Sequence, residues 1–270
     1  MVIDAGEQSA AGVKQCCALF YGSDAARALF GESFHPGGVA LTLELGEMLG
    51  LTADSVVLDV ASGRGVSAFG LAERFGCRVT GVDLSEGNVT EANAESKRRG
   101  LEARVDFQVA DAERLPFTSE SFDIIVCECA FCTFPDKAAA ASEFARVLKP
   151  KGRVGLSDLT RVAEPLPELD GLLAWIACIG DAQPLENYAA WLTDAGFSIS
   201  SSASRHACLH DLVASIRGKL FTAEILIGLK KLELPGLDIE QAKRFAKVAA
   251  QAVHDRKLGY AVLVGERRSA

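Results

Sequence analysis

No uninterrupted apolar run in this chain approaches bilayer-spanning length, which argues against a helical membrane span. Positive charge is in deficit. The 28 Lys and Arg stand against 36 Asp and Glu, a net charge of −8, and the isoelectric point is near 5.1. A sequence-independent nucleic-acid binder needs a basic face, so that class is set aside. The first twenty residues carry Asp4 and Glu7 and no basic start leading into an apolar core, so they do not read as a secretory signal. Internal repeats, low-complexity tracts and linkers long enough to part independent domains are missing too. The 270 residues suit one large elaborated domain, expected in the cytosol, with neither membrane nor nucleic acid as a partner.

What is present begins near residue 60, in VVLDVASGRGVSAFGLAERFGCRVTGVDLSEGN. An apolar run ends at Asp59, and the small-residue loop Ala61-Ser62-Gly63-Arg64-Gly65 follows. A helix-like segment then leads to a second apolar run that ends at Asp83, with Leu84 beyond it. In an open α/β sheet this puts carboxylates at the carboxyl ends of two strands, at the crevice where nucleotide-like ligands bind. Small residues let the backbone approach a ligand closely, and the second acid accepts from ribose hydroxyls. Two ligand classes share the layout. Gly63, Gly65 and Ala68, with Asp83 downstream, satisfy a dinucleotide fingerprint loosely. Asp59, immediately ahead of the loop, favours the other class.

The string D-V-A-S-G-R-G resembles the S-adenosylmethionine loop of class I methyltransferases, D/E-x-G-x-G-x-G, with Ala61 at the first glycine. Later segments follow in that family's order: a strand-like run Val105 to Val109, then Asp111-Ala112, then a buried strand at Phe122 to Cys127. The turn Leu148-Lys149-Pro150-Lys151-Gly152 and a strand at Arg153 to Leu156 come next. The resemblance covers residues 40 to 204 and a final strand. It implies a Rossmann-like, seven-stranded, mostly parallel sheet with helices on both faces, the last strand antiparallel beside the fifth. It also implies S-adenosylmethionine as cofactor. Asp59, Ala61, Ser62, Gly63 and Gly65 would surround its methionine part, Asp83 with Leu84 its ribose, and Asp111 with Ala112 its adenine. Glu128, at the end of the fourth strand, would touch cofactor or acceptor.

Alternation of short apolar strands with helices such as Val66 to Phe75 and Ala138 to Leu148 independently argues for a parallel sheet covered on both faces. The expected organisation is an N-terminal helical lid over residues 1–38, a cofactor-binding core over 39–204, a helical substrate cap over 205–257, and the last strand and tail over 258–270. The cap also offers a face for a homodimer.

Eight cysteines in a chain expected in the cytosol are thiols, available for packing, metal or chemistry. Cys77 and Cys127 read as small core hydrophobes. Cys129 and Cys132, in CECAFCTFPD, follow the fourth strand where this fold faces the transferable methyl. They either serve the acceptor or pack beneath the helix starting near Asp136. No second C-x-x-C completes a zinc site, and no metal site is expected. Cys178 lies in WIACIGDAQPL, which resembles the W-x-x-C-[ILV]-x-G-A-L segment of arsenite methyltransferases, departing from it at Asp181. That resemblance implies that Cys178 holds a trivalent metalloid. Cys208 stands about where the family has another such cysteine, but residues 29–38 lack the family's earlier one. Cys16 or Cys17 can join from the lid. His35, in the turn Ser33 to Gly38, is a candidate base, whereas His206 and His210 read as a surface pair.

Three functions stay open. The first is a methyltransferase for a thiol-bound metalloid, most simply arsenite. The second is a methyltransferase for a small organic acceptor such as a quinone, sterol or other natural product, with His35 or Glu128 as base. The third is a non-catalytic relative that binds the cofactor.

Overall fold

The computed structural model describes Gly12, Tyr21, Gly31 and residues 33–162, 166–169, 174, 178–228 and 238–269. Most of the expected lid, with Cys16 and Cys17, lies outside the described residues.

Seven strands form one sheet: β1 (Val56–Val60), β2 (Arg78–Asp83), β3 (Val105–Val109), β4 (Phe122–Glu128), β5 (Leu148–Arg161), β6 (Phe197–Ser204) and β7 (Leu258–Arg267). Their order is β3-β2-β1-β4-β5-β7-β6. β1 pairs in parallel with β2 and β4, and β4 with β5, while β7 runs antiparallel to β5 and β6. The fold is the expected one. Val57, Leu58, Ile125 and Val126 are buried on successive positions rather than alternate ones, as in a strand covered on both faces.

The helices are α1 (Gly38–Met48), α2 (Val66–Phe75), α3 (Glu86–Arg98), α4 (Lys137–Val147), α5 (Leu185–Asp194), α6 (His206–Gly228) and α7 (Ile239–His254). Local chemistry starts several of them. Ser85 accepts from Asn88 N, Asp136 from Ala139 N and Asp238 from Gln241 N, each satisfying a donor that the first turn leaves open. No helix among the described residues is long and apolar enough to cross a membrane.

The stretch Leu148 to Gly152, read from sequence as a turn before the fifth strand, lies within β5. Leu148 pairs with Phe122 and Arg153 with Ile124, so the intervening residues bulge out of the ladder. Lys151 there adopts φ 63°. The turn chemistry was legible, but the pairing that starts ahead of it was not.

Gly65 closes the loop between β1 and α2 with φ 83°. A Cβ there would sit 2.3 Å from Phe107 Cζ. Gly63 is also left-handed, but its nearest neighbour would be Phe34 at 3.8 Å. Gly65→Ala therefore combines overpacking with backbone strain and should cost about 3 kcal/mol, against about 1 kcal/mol for Gly63→Ala. Urea unfolding midpoints check the order, and equal losses would show that Phe107 yields freely.

Candidate active site

The strand order reverses between β1 and β4, and the crevice opens at their carboxyl ends, the position where open α/β sheets take ligands. Of the residues singled out from sequence, His35, Asp59, Ala61, Ser62, Gly63, Asp83, Leu84, Asp111, Ala112, Glu128 and Cys129 line it. Gly65 does not; it serves as the N-cap of α2. Cys132 and Cys178 are buried and do not line the crevice. Among the described residues none from 205–257 lines the crevice; the N-terminal Tyr21, Ser33 and Phe34 do.

One end is built on acids. Asp83 Oδ2 accepts from Gly63 N at 2.9 Å, and Oδ1 accepts from Ser85 N at 2.8 Å and Asn88 Nδ2 at 3.3 Å. The carboxylate is thereby fixed against the loop, although burial still raises its pKa. Asp59 is pushed well above the carboxylate range, first by burial and then by Glu128 and Asp83. Ala68 N–H binds it, but among the described residues its buried Oδ2 has no hydrogen-bond partner, nor has Ser62 Oγ. Such orphaned groups fit a ligand that brings its own cationic and polar atoms. Leu84, 41% exposed, adds an apolar face beside Asp83. Ala61 holds φ 58°, so the methyl that replaces the family's glycine occupies a left-handed position at a cost of about 1–2 kcal/mol.

Glu128 ends β4 in a buried hydroxyl network. Its Oε2 accepts from Ser67 Oγ at 2.7 Å and Thr42 Oγ1 at 2.8 Å, and its Oε1 from Ser157 Oγ at 3.3 Å. Tyr260 donates in turn to Ser157 at 3.0 Å. His35 Nε2 approaches Glu128 to 3.6 Å and Thr42 Oγ1 to 3.3 Å, while Nδ1 lies 3.3 Å from Pro36 O. Both ring nitrogens are thus engaged within the protein.

At the other end Cys178 comes up to the loop that carries Cys129 and Cys132. Cys178 Sγ lies 3.0 Å from Tyr21 Oη and 3.5 Å from Cys129 O. Thiol hydrogen bonds from Cys129 and then Cys132 pull the Cys178 thiol well below its ordinary range, with Tyr21 assisting. The counterparts move up: Cys129 mainly through its bond to Cys178, Cys132 mainly through burial. Cys129 and Cys178 both hold left-handed φ, 52° and 59°. The loop that carries Cys129 and Cys132 is anchored by Phe131, whose ring meets Phe134, Phe144, Tyr188 and Trp191 at centroid distances of 5.7–6.4 Å. Asp181, where the chain departs from the arsenite-methyltransferase pattern, pairs with buried Lys137 and ties the Cys178 segment to the same loop. Cys208 lies elsewhere, against Gly37. Among the described residues no group of three or more His, Cys, Asp or Glu is placed to hold a metal ion.

Sequence reading missed Tyr21, whose contact with Cys178 spans 157 positions and leaves no local signal. It also missed Asp158, which did leave one: an acid inside the apolar strand GLSDLT. Asp158 accepts from Cys132 N at 2.9 Å and Leu159 N at 2.8 Å, and burial pushes its pKa up to about 7. The unfolded chain gives up that proton near pH 4. Folding therefore takes up a proton between about pH 4 and pH 7, and stability falls as pH rises through that window. Asp158→Asn should remove this contribution, gaining about 2–3 kcal/mol on wild type between pH 5 and pH 8. Urea midpoints at the two pH values test it, and a gap independent of pH would count against the buried proton.

The family profile described as "Methyltransferase domain" matches residues 58–156. Methyltransferase GfsG of Streptomyces halstedii is 32% identical over 191 residues, which cover 64% of this chain and 68% of that protein. O-methyltransferase cnsE of Penicillium expansum is 30% identical over 234 residues, covering 85% and 78%. The chain spans only 51% of an "Uncharacterized protein" of Haemophilus influenzae, to which it is 40% identical over 129 residues, 47% of this chain. The fold matches geranyl diphosphate C-methyltransferase of Streptomyces coelicolor A3(2), solved with S-adenosyl-L-homocysteine, at TM-score 0.73 and 15% identity over 98% of this chain and 100% of that one. Asp83→Ala should weaken S-adenosylmethionine binding at least about tenfold, or about 1.4 kcal/mol, in a calorimetric titration; unchanged affinity would move the ribose away from Asp83. The orphaned acid, the small-residue loop and the relatives agree: this chain belongs to the class I S-adenosylmethionine-dependent methyltransferases and takes that cofactor.

Proposed function

We propose that this methyltransferase acts on a small soft acceptor held by thiols, a trivalent metalloid such as arsenite, at the end of the crevice bounded by Cys129. The observation that carries the reading is the approach of Cys178 Sγ to Cys129 O at 3.5 Å across 49 positions, with Cys129 and Cys132 close enough to pull its thiol pKa down. Thiolates select soft acceptors, and the nucleophilic form of a cysteine is the thiolate. Cys178 is already shifted toward that form by its thiol neighbours, so it makes the first bond to the acceptor. Cys129 faces the crevice and adds the second; each As–S bond replaces an As–O bond of arsenite, the Cys178 thiolate displacing a hydroxide and the Cys129 proton leaving with another as water. Cys132 stands behind them as the third.

When bound, S-adenosylmethionine supplies an electrophilic methyl group. The protein contributes position: thiols fix the acceptor at one end and the Asp59–Asp83 wall fixes the cofactor at the other, so that transfer is within one assembled site. Phe34, Phe134 and Tyr21 add aromatic surface to the crevice lining.

A second reading, an organic acceptor bearing O–H or N–H, draws on the His35–Glu128 contact at 3.6 Å. It needs the acceptor to displace His35 from its present partners so that the ring or the carboxylate can take the proton.

Arsenite titrated calorimetrically into reduced, cofactor-loaded protein separates the two. The first reading expects one-to-one binding in roughly the micromolar range, weakened at least about 100-fold in Cys178→Ser and retained in Cys208→Ser. Absence of binding to wild type overturns the thiol-held acceptor and leaves the organic one.

A further inference from the structure

Tyr21 joins the two ends of the crevice through a continuous set of contacts. Its hydroxyl lies 3.0 Å from Cys178 Sγ. Its ring packs on Phe34 with centroids 5.6 Å apart and planes tilted by 51°. Phe34 in turn covers the cofactor loop, its ring edge 3.8 Å from where a Cβ on Gly63 would stand. Gly63 N donates to Asp83 Oδ2 at 2.9 Å. Contact thus runs from the ribose-side acid to the acceptor-side thiol by way of two aromatic rings. Gly63, Phe34 and Tyr21 all face the crevice, so a ligand on the loop bears on the path directly.

We infer that Tyr21 is a positioning residue that couples the subsites: occupancy of the cofactor loop fixes Phe34, Phe34 fixes Tyr21, and the Tyr21 hydroxyl fixes Cys178. The inference rests on Cys178 belonging to the acceptor end, as proposed above. Coupling of this kind needs two sites and a physical element that both bias, and the Phe34–Tyr21 pair is that element. The hydroxyl is the group on which it turns. Tyr21→Phe keeps the ring contact with Phe34 and removes the hydroxyl's bond to sulfur.

The consequence is an order of events. With the cofactor seated, Cys178 is held in place for the acceptor; with the loop empty, Phe34 and Tyr21 have more freedom and the thiol is more loosely placed. Enzyme that has not yet loaded its methyl donor therefore presents a poorer acceptor site.

The test is alkylation by iodoacetamide at fixed pH, read residue by residue by peptide mass spectrometry, with and without S-adenosylhomocysteine. Each protein is saturated at the concentration its own titration gives. In wild type, S-adenosylhomocysteine should slow labelling of both Cys129, which the crevice exposes directly, and Cys178, the latter at least about fivefold. In Tyr21→Phe the protection of Cys129 should persist while that of Cys178 falls below about twofold. Phe34→Leu, which breaks the other link, should give the same pattern and stands in if Tyr21→Phe does not bind the cofactor product. Equal protection of Cys178 in wild type and both variants would mean direct shielding and overturn the coupling; so would an absence of protection in wild type. Labelling does not involve arsenite, so failure of the metalloid titration and failure of the coupling are told apart.

Discussion

Crowding of negative charge at the carboxyl edge of the sheet is the constraint around which this molecule is arranged. Parallel register sets Val60 of β1 opposite both Val82 of β2 and Cys127 of β4, so the acids at or near those strand ends come together. Two unit charges several ångströms apart at an effective dielectric of 20 repel by about 2–3 kcal/mol, and hydrogen bonds to a charged group return about 1.5–3 kcal/mol each. Asp83 has three such donors and Glu128 three hydroxyls, which outweigh the repulsion. Asp59 has the Ala68 N–H and an orphaned Oδ2. The imbalance is concentrated there, and a cofactor carrying a sulfonium and an ammonium is the charge complement that such a wall favours.

The thiol end answers a different difficulty. Two non-glycine residues in left-handed conformation, Cys129 and Cys178, cost about 1–2 kcal/mol each. Opposing that, Phe131 is fully buried among four aromatic neighbours, and burial of one such side chain stabilises by about 1.5–3 kcal/mol. Tyr188 adds its own buried ring and donates to Leu159 O at 2.9 Å. The Lys137–Asp181 pair contributes less through net attraction than through geometry, since burying charges offsets much of what pairing gains. It holds two segments, 44 positions apart, at one distance. The aromatic cluster therefore supplies the energy and the ion pair the register for a strained loop.

The sheet was legible because buried parallel strands and small-residue loops are written locally: VVLDV, FDIIVCE and ASGRG each carry their own pattern. The acids and Ala61 followed from the strand ends they occupy. The three thiols could be listed but not assembled, since Cys178 reaches Cys129 across 49 positions and no periodicity encodes that approach. Tyr21 is the limiting case, a residue with no local motif of its own. Ala61 was legible as a departure from a glycine pattern, but whether its methyl is strained depends on φ, which only the folded loop defines. Asp181 was legible only as a mismatch; its ion pair with Lys137 supplies the reason.

Cys178 Sγ meets Tyr21 Oη and Cys129 O, and no finished coordination shell stands among the described residues; on the proposed reading that arrangement governs what the thiols bind. On that reading, an acceptor bonding these sulfurs displaces their present contacts and takes from Cys129 and Cys132 a proton that the neighbouring Cys178, for Cys129, and burial, for Cys132, favour keeping. A ligand forming a single bond to sulfur recovers too little to offset this reorganisation. One that bonds two or three sulfurs at once recovers it several times over, because the loop anchored by Phe131 already holds the backbones in place and little chain entropy is lost further. If the acceptor is thiol-held, as proposed, selection for polyvalent, soft acceptors comes from the cost of breaking the resting contacts as much as from the affinity of sulfur itself.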